Sequence, residues 1–223
     1  MGIKTTSQTS KKKLVILSSH RGTNFVAIAQ AIQSQVIKQA SVEGLIYHRQ
    51  DAPVIERAKE LNIKTYYVPI EKNITKQKRQ QGEKKLFELL ESLSPDLICL
   101  AGYLLILPEK IIERWPSQII NIHPSLLPSF KGLHAQKKAL EYGVQWTGCT
   151  VHFVTKGLDA GPIILQEPLK IESSDTEESL SRRLLLLEHQ AYILALSSLC
   201  QRSYRIKGRH VVFDSSSKKG ELK

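Results

Sequence analysis

Asn121 and His123 stand two residues apart at the end of an apolar run, Ile119-Ile120-Asn121-Ile122-His123-Pro124. In an extended backbone such residues project to the same side, so an amide and an imidazole lie together. An amide donates hydrogen bonds to a developing oxyanion, and an imidazole exchanges a proton near neutral pH. Pro124 cannot donate to a sheet ladder and biases His123 toward extended geometry, so the strand is expected to stop there. In open α/β sheets, ligands bind at the carboxyl ends of strands. A polar strand end with a hydrogen-bonded structural histidine is the competing reading of the same residues. Further along, Gly157 and Gly161 bracket Asp159 in a sharply shaped loop, where an aspartate is either a turn former or a positioned carboxylate.

A second candidate site opens the chain. Residues 12–18 read as a buried strand, followed by Ser-Ser-His-Arg-Gly-Thr-Asn and then by helical apolar spacing over residues 25–32. Strand, polar glycine-bearing loop and helix present backbone N–H groups to an anion. Gly22 permits close approach, Arg21 adds charge, and Thr23 and Asn24 offer side-chain donors or a cap. The loop is neither the dinucleotide fingerprint nor a P-loop, and an ordinary capped βα turn has the same pattern. A third feature is the apolar loop Gly102-Tyr103-Leu104-Leu105-Ile106-Leu107-Pro108. Loops are usually polar, so this one is either covered by other chain or forms one wall of a slot for a flat ring.

The elements around these residues alternate. Strands are expected at residues 42–47, 64–68, 97–101, 119–123, 149–154 (with His152 in its middle) and 163–166, and a last strand or hairpin at 205–213. Helices are expected at 53–61, 75–93, 109–114, 136–142 and 175–198, the last opened by Asp175 and Glu178 in the manner of a capping box. Alternation predicts an α/β fold: a Rossmann-like, open, mostly parallel twisted sheet of about seven strands with helices on both faces. One folded domain spans residues 12–213, between basic tails at 1–11 and 214–223 expected to be disordered.

The bulk properties narrow the class. A hydrophobic fraction of 41% and a charged fraction of 24% describe an ordinary globular chain. No apolar run approaches the roughly 20 residues of a membrane helix, and residues 14–17 are too few for a signal-peptide core. Cys99, Cys149 and Cys200 lack zinc-like pairing and read as buried thiols, which points to a reducing, cytoplasmic setting. Part of the net charge of +11 comes from the two ends, and a cluster at Lys72, Lys76, Lys78, Arg79, Lys84 and Lys85 adds more. Without a nucleic-acid motif it suits small anionic substrates, with no nucleic acid or membrane as partner.

The order of the pieces is more specific than any one of them. Arg21-Gly22-Thr23-Asn24, Leu100-Ala101-Gly102-Tyr103, Asn121-Ile122-His123-Pro124-Ser125-Leu126-Leu127-Pro128, Gly132-Leu133-His134 and Leu158-Asp159-Ala160-Gly161-Pro162 follow one another at compatible spacings. This arrangement resembles the folate-dependent formyltransferases, and within them the glycinamide ribonucleotide branch, from about Lys12 to Leu199. The resemblance implies formyl transfer from 10-formyltetrahydrofolate, as cosubstrate, to the amine of glycinamide ribonucleotide, by a monomer or homodimer and without a metal. It implies Asn121, His123 and Asp159 as catalytic residues. It places the substrate's phosphate and ribose at Arg21, Gly22, Thr23, Asn24 and Glu188. It places the folate against Tyr103, Leu104, Leu105, Ile106, Asn121, Lys156, Gly157, Leu158 and Asp159.

Two positions depart from the family pattern. His20 replaces a glycine usual in the phosphate loop, and Leu105 replaces a polar or basic residue near the folate's benzoylglutamate part. The closest rival is a formyltetrahydrofolate hydrolase, whose members usually carry an N-terminal regulatory domain, whereas about eleven residues precede the first strand here. Methionyl-tRNA formyltransferase usually has a C-terminal barrel for which the stretch after Leu199 is too short. A non-catalytic folate- or nucleotide-binding protein is the rival from another class, and loss of Asn121, His123 or Asp159 would have been its mark.

Overall fold

A computed structural model of the protein describes residues 11–70 and 75–214. Lys72 and nearly all of the two basic tails lie outside the described residues. The first strand, β1 (Lys12–Leu17), is flanked by β2 (Ala40–Tyr47) and β4 (Leu97–Leu100), both parallel to it. β3 (Thr65–Tyr67) lies outside β2, and β5 (Ile119–His123) continues the parallel set beyond β4. Here the sheet changes character: β6 (Trp146–Phe153) runs antiparallel to β5, and β7 (Ile163–Lys170) antiparallel to β6. The terminal hairpin β8 (Tyr204–Lys207) and β9 (His210–Phe213) completes the order β3-β2-β1-β4-β5-β6-β7-β9-β8.

Nine strands therefore stand where about seven were expected. The two beyond seven are β8 and β9: residues 205–213, expected as a last strand or hairpin, form a hairpin turned at Gly208, whose φ is +60°, while the strand expected at 64–68 shortens to the three half-buried residues of β3. β7 also runs four residues past the expected end at Gln166, through Pro168. Proline is tolerated because β9 pairs with β7 only at Ile163, which leaves this part of β7 without a partner on that side. Gly148 lies opposite Pro168, and a Cβ there would sit 2.1 Å from the Glu167 carbonyl oxygen.

Helices cover both faces because the central strands are apolar on both. In β1, Leu14 and Ile16 join one buried cluster while Val15 and Leu17 join the other; in β4, Leu97 and Cys99 divide from Ile98 and Leu100 in the same way. This period of two, carried by consecutive apolar residues, marks strands buried from both sides. The first cluster is closed by α1 (Thr23–Gln33), α2 (Val54–Glu60) and α6 (Glu177–Gln201), the second by α3 (Lys76–Leu93) and α4 (Glu109–Arg114). α5 (Ala135–Tyr142) follows the loop after β5. Cys99, Cys149 and Cys200 are all buried and unpaired.

The start of α6 differs from the expectation. Its capping box is Thr176 with Ser179, each side chain bonding the other's backbone amide. Asp175 lies just outside, accepting from the Glu172 amide and pairing with Arg183, contacts that hold its carboxyl below the usual range. Further along α6, the fully buried Tyr192 places its hydroxyl 3.1 Å from the Leu100 carbonyl and 3.2 Å from that of Ile120, tying the helix to β4 and β5. Tyr192→Phe removes this link and is expected to cost about 1–2 kcal/mol, read as a lower urea midpoint at constant slope. An unchanged midpoint would show that the hydroxyl contributes nothing to joining α6 and sheet.

Candidate active site

β5 is the hinge of the site because its two neighbours run in opposite directions. Asn121 is half-buried and lies opposite His152 of β6. The His152 Nδ1 atom is 2.9 Å from the Phe153 carbonyl, which can only accept, so Nδ1 carries the proton. Nε2 then presents its lone pair to the Asn121 Nδ2 atom at 3.5 Å. Burial pushes the His152 imidazole toward its neutral form, against the pull of Asp159. One amide N–H of Asn121 is thereby directed to His152 and the other is left for a ligand.

His123, 5% exposed, is held between two oxygen atoms. Its Nε2 lies 2.9 Å from the Phe130 carbonyl and its Nδ1 lies 3.4 Å from Asp159 Oδ2. The Phe130 carbonyl is placed by a tightly bonded loop. Ser125 Oγ donates to the Ser129 carbonyl at 2.6 Å, and Thr150 Oγ1 donates to the Ser125 carbonyl at 2.7 Å. Gln166 Nε2 reaches both the Leu127 carbonyl and Thr150 Oγ1 at 2.9 Å. Phe130 itself takes φ of 50°, a strained value for an aromatic residue that turns its carbonyl inward.

Asp159 arrives from the loop between β6 and β7 and also takes a left-handed φ, 45°. Its Oδ2 accepts from the Gly132 amide at 2.8 Å, and its Oδ1 lies 3.8 Å from His152 Nε2. Of the two bracketing glycines, Gly161 is the one that close approach demands: a Cβ there would stand 1.8 Å from the Phe153 carbonyl oxygen. A turn former would point its carboxylate at its own loop; this one reaches across to β5 and to the loop after it. Asn121, His123 and Asp159 are thus brought together, and His152, Gly132 and the Phe130 carbonyl join them. A histidine inside an otherwise apolar strand was the available signal for His152. Nothing in the sequence marked the two backbone groups.

The anion-loop residues line a cleft of about 640 Å³ beside Ala101 and Gly102. Ala101 directly follows Leu100, the register partner of Asn121. Gly22 is the N-cap of α1 with φ of 68°, and a Cβ there would meet Val54 Cγ2 at 2.1 Å, so glycine is required twice over. His20 does not share that conformation; its carbonyl accepts from the Val54 amide at 3.1 Å, and its Cβ causes no strain. Asn24 Nδ2 donates to Glu188 Oε2 at 2.9 Å, while Asn24 Oδ1 has no hydrogen-bond partner among the described residues. Burial raises the Glu188 carboxyl to about 6, opposed in part by that bond. The far wall is a stripe of α6 that includes Glu178, expected only as part of a helix cap, and Ser181 and Arg182, which nothing in the sequence marked.

The residues expected to meet folate divide into two groups. Leu104, Ile106 and Leu158 expose 48%, 76% and 61% of their surface, as an apolar wall requires. Leu105 instead packs against the buried cluster under α3 and α4, and Tyr103 is buried with its ring edge-on to His48 at 5.3 Å. Lys156 is held by Glu109 and Glu113 of α4 at 2.9 and 2.6 Å, which raises its pKa, and Gly157 follows it into the turn. Tyr103 and Leu105 therefore turn toward the core and Lys156 is engaged with α4, while Leu104, Ile106 and Leu158 remain exposed. Among the described residues no group of three or more His, Cys, Asp or Glu side chains could hold a metal ion, and no helix is long and apolar enough to cross a membrane.

Residues 12–196 match the formyl transferase family. The chain belongs to that family. It is 35% identical over 188 residues to phosphoribosylglycinamide formyltransferase of Bacillus subtilis (strain 168), covering 84% of this chain and 94% of that protein. It is 36% identical over 204 residues to the trifunctional purine biosynthetic protein adenosine-3 of Gallus gallus, covering 89% of this chain. The chain spans only 19% of the length of that larger relative. Glycinamide ribonucleotide transformylase 1 from Symbiobacterium toebii superimposes with a TM-score of 0.86 at 38% identity, covering 92% of this chain and 95% of that one. Within this formyl transferase, the cleft and the trio meet at the carboxyl ends of β4 and β5, where α/β sheets bind ligands.

The half-buried carboxyl of Glu188 in the cleft yields a stability prediction. Because the Glu188 carboxyl titrates near 6 when folded and near 4.5 ordinarily, folding favours its protonated form. That contribution is present below pH 4.5 and is lost as pH rises through about 6. Glu188→Gln keeps an acceptor for Asn24 without the charge. It should raise stability at pH 8 by about 2 kcal/mol and leave it unchanged below pH 4. Equal differences between the two proteins at both pH values would contradict the raised pKa of this carboxyl.

Proposed function

We propose that this formyl transferase moves the formyl group of 10-formyltetrahydrofolate to the amine of glycinamide ribonucleotide, a step of de novo purine biosynthesis. The carrying observation is His123 clamped between the Phe130 carbonyl and Asp159, beside an Asn121 amide oriented by His152 and next to an anion-receptive cleft. The relatives named for this reaction support the same reading. Both substrates are small anionic molecules, which suits the net charge of +11. The buried free thiols fit a reducing cytoplasm.

Attack of the amine nitrogen on the formyl carbon places negative charge on the formyl oxygen and positive charge on the nitrogen. The free N–H of Asn121 and an N–H of His123 stabilise the oxyanion. The Phe130 carbonyl holds the ring through Nε2 at 2.9 Å, and the Nδ1 side, 3.4 Å from Asp159 Oδ2, is where the oxyanion shares the His123 N–H with that carboxylate. Asp159 orients the ring and accepts the proton lost by the amine, directly or through water; the proton then goes to the departing folate nitrogen as the carbon–nitrogen bond breaks. Gly22, Thr23, Asn24 and Arg21 hold the phosphate, and Glu188 holds the ribose. Leu104, Ile106 and Leu158 pack against the pterin.

His123→Ala should abolish transfer while ribonucleotide affinity stays within a few-fold, and normal turnover would remove His123 from the mechanism. Asp159→Asn should lower kcat by about 10²–10⁴-fold with little change in Tm. A lowered Tm with full activity per folded molecule would reduce Asp159 to a turn former. The deciding assay follows the absorbance of 10-formyltetrahydrofolate with and without glycinamide ribonucleotide. Consumption that requires the ribonucleotide is expected. Consumption without it would make the protein a hydrolase, and none in either case would leave a binding protein.

A further inference from the structure

We propose that Arg182 is a second cationic ligand of the substrate's phosphate, closing on it from α6 across the cleft from Gly22 and Arg21. The inference rests on the reading of this cleft as the ribonucleotide site. Glu178, Ser181, Arg182, Leu185 and Glu188 all line the cleft, and their spacing of three and four residues makes them one stripe of α6. The two neighbouring arginines of this helix have different partners. Arg183 turns away to Asp175 and the Lys170 carbonyl. Arg182 faces the cleft and makes no hydrogen bond or ion pair with any described residue.

Charge balance decides why a second cation is needed. On the opposite wall, Arg21 carries one positive charge and the N-terminus of α1 about half of one. Gly22 offers no side chain to cap that helix, so its first amides receive no bond from the N-cap residue. Against these stand the carboxyl groups of Glu178 and Glu188, both in the cleft lining. With both ionised and Arg182 left out, the cleft carries about half a negative charge and repels a phosphate dianion; with Arg182 it carries about half a positive one. Leu185, one turn on, supplies no polar group, so Arg182 is the cation of this stripe.

Chemistry and placement agree. The guanidinium fork matches two phosphate oxygens at once, which a single amine cannot do. Ser181 adds a hydroxyl beside it. Independently, the buried Asn24 Oδ1 atom lacks a partner within the same cleft, an acceptor suited to a ribose hydroxyl of the same ligand. Phosphate at the α1 end and ribose between Asn24 and Glu188 place Arg182 where it grips from the side opposite the loop.

The test measures ribose 5-phosphate binding by calorimetry together with turnover of glycinamide ribonucleotide, for the wild type, Arg182→Ala and Arg182→Lys. Arg182→Ala should raise both the Kd for ribose 5-phosphate and the KM for the ribonucleotide at least about tenfold, with kcat and the folate KM within about twofold. Arg182→Lys should recover only part of the loss, because it restores charge without the fork. The dependence of log Kd on log salt should also be shallower in Arg182→Ala than in the wild type. If both affinities stay within twofold in Arg182→Ala while the wild type forms product, the inference falls and the formyl-transfer reading stands. If the wild type forms no product but binds ribose 5-phosphate through Arg182, the reading falls and the inference stands. No binding and no turnover by the wild type overturns both.

Discussion

β5 has a parallel neighbour on one side and an antiparallel neighbour on the other, and the site depends on that junction. The parallel side opens into the βα cleft, where Ala101 and Gly102 leave β4 and α1 presents its N-terminus. The antiparallel side brings His152 directly opposite Asn121. A fully parallel sheet would have put a crossover helix on that side and left the Asn121 amide free to rotate. The change of direction converts a polar strand end into an oriented donor.

The same junction explains why a strained loop is tolerated after β5. The loop cannot simply cross over, because β6 returns beside β5, and its backbone groups are satisfied by side chains from β6 and β7. Thr150 and Gln166 bond to the loop carbonyls, and Phe130 holds its left-handed conformation at the end of that network. Asp159 is positioned by comparable means, bonded to Gly132 of the same loop and held in a turn that only glycine at 161 permits. Two independent strained backbone positions thus converge on one imidazole. Strain of about 1–3 kcal/mol at each persists because the neighbouring bonds over-determine it.

The cleft follows a different rule. Its anion-facing end is built from backbone, with Gly22 forced by both its dihedral angle and its contact with Val54. Its other wall is a face of α6, a helix anchored to the sheet by Tyr192. Glu188 sits where that helix meets Asn24, and burial there keeps its proton longer than in water. One helix therefore both stabilises the first buried cluster and supplies the polar lining.

Consecutive apolar runs such as residues 14–17 and 97–100 determined the strand–helix alternation, because burial on both faces leaves a local signature. The pairing of Asn121 with His123 on one face followed from the period of a strand, and the stop at Pro124 from its missing donor. The family motifs, in order, pointed to Asp159. What the tertiary structure decided was every relation between residues far apart in the chain. His152 meets Asn121 only because β6 is antiparallel, Phe130 and Gly132 act through backbone atoms that any residue type carries, and Arg182 joins the cleft only through the packing of α6. Leu105 and Tyr103 read as ligand-facing in an apolar loop, yet alternation turned them inward while Leu104 and Ile106 stayed out. Local periodicity encodes which side of an element is apolar; which partner that side meets is set by sheet order and strand direction, information held by the whole chain at once.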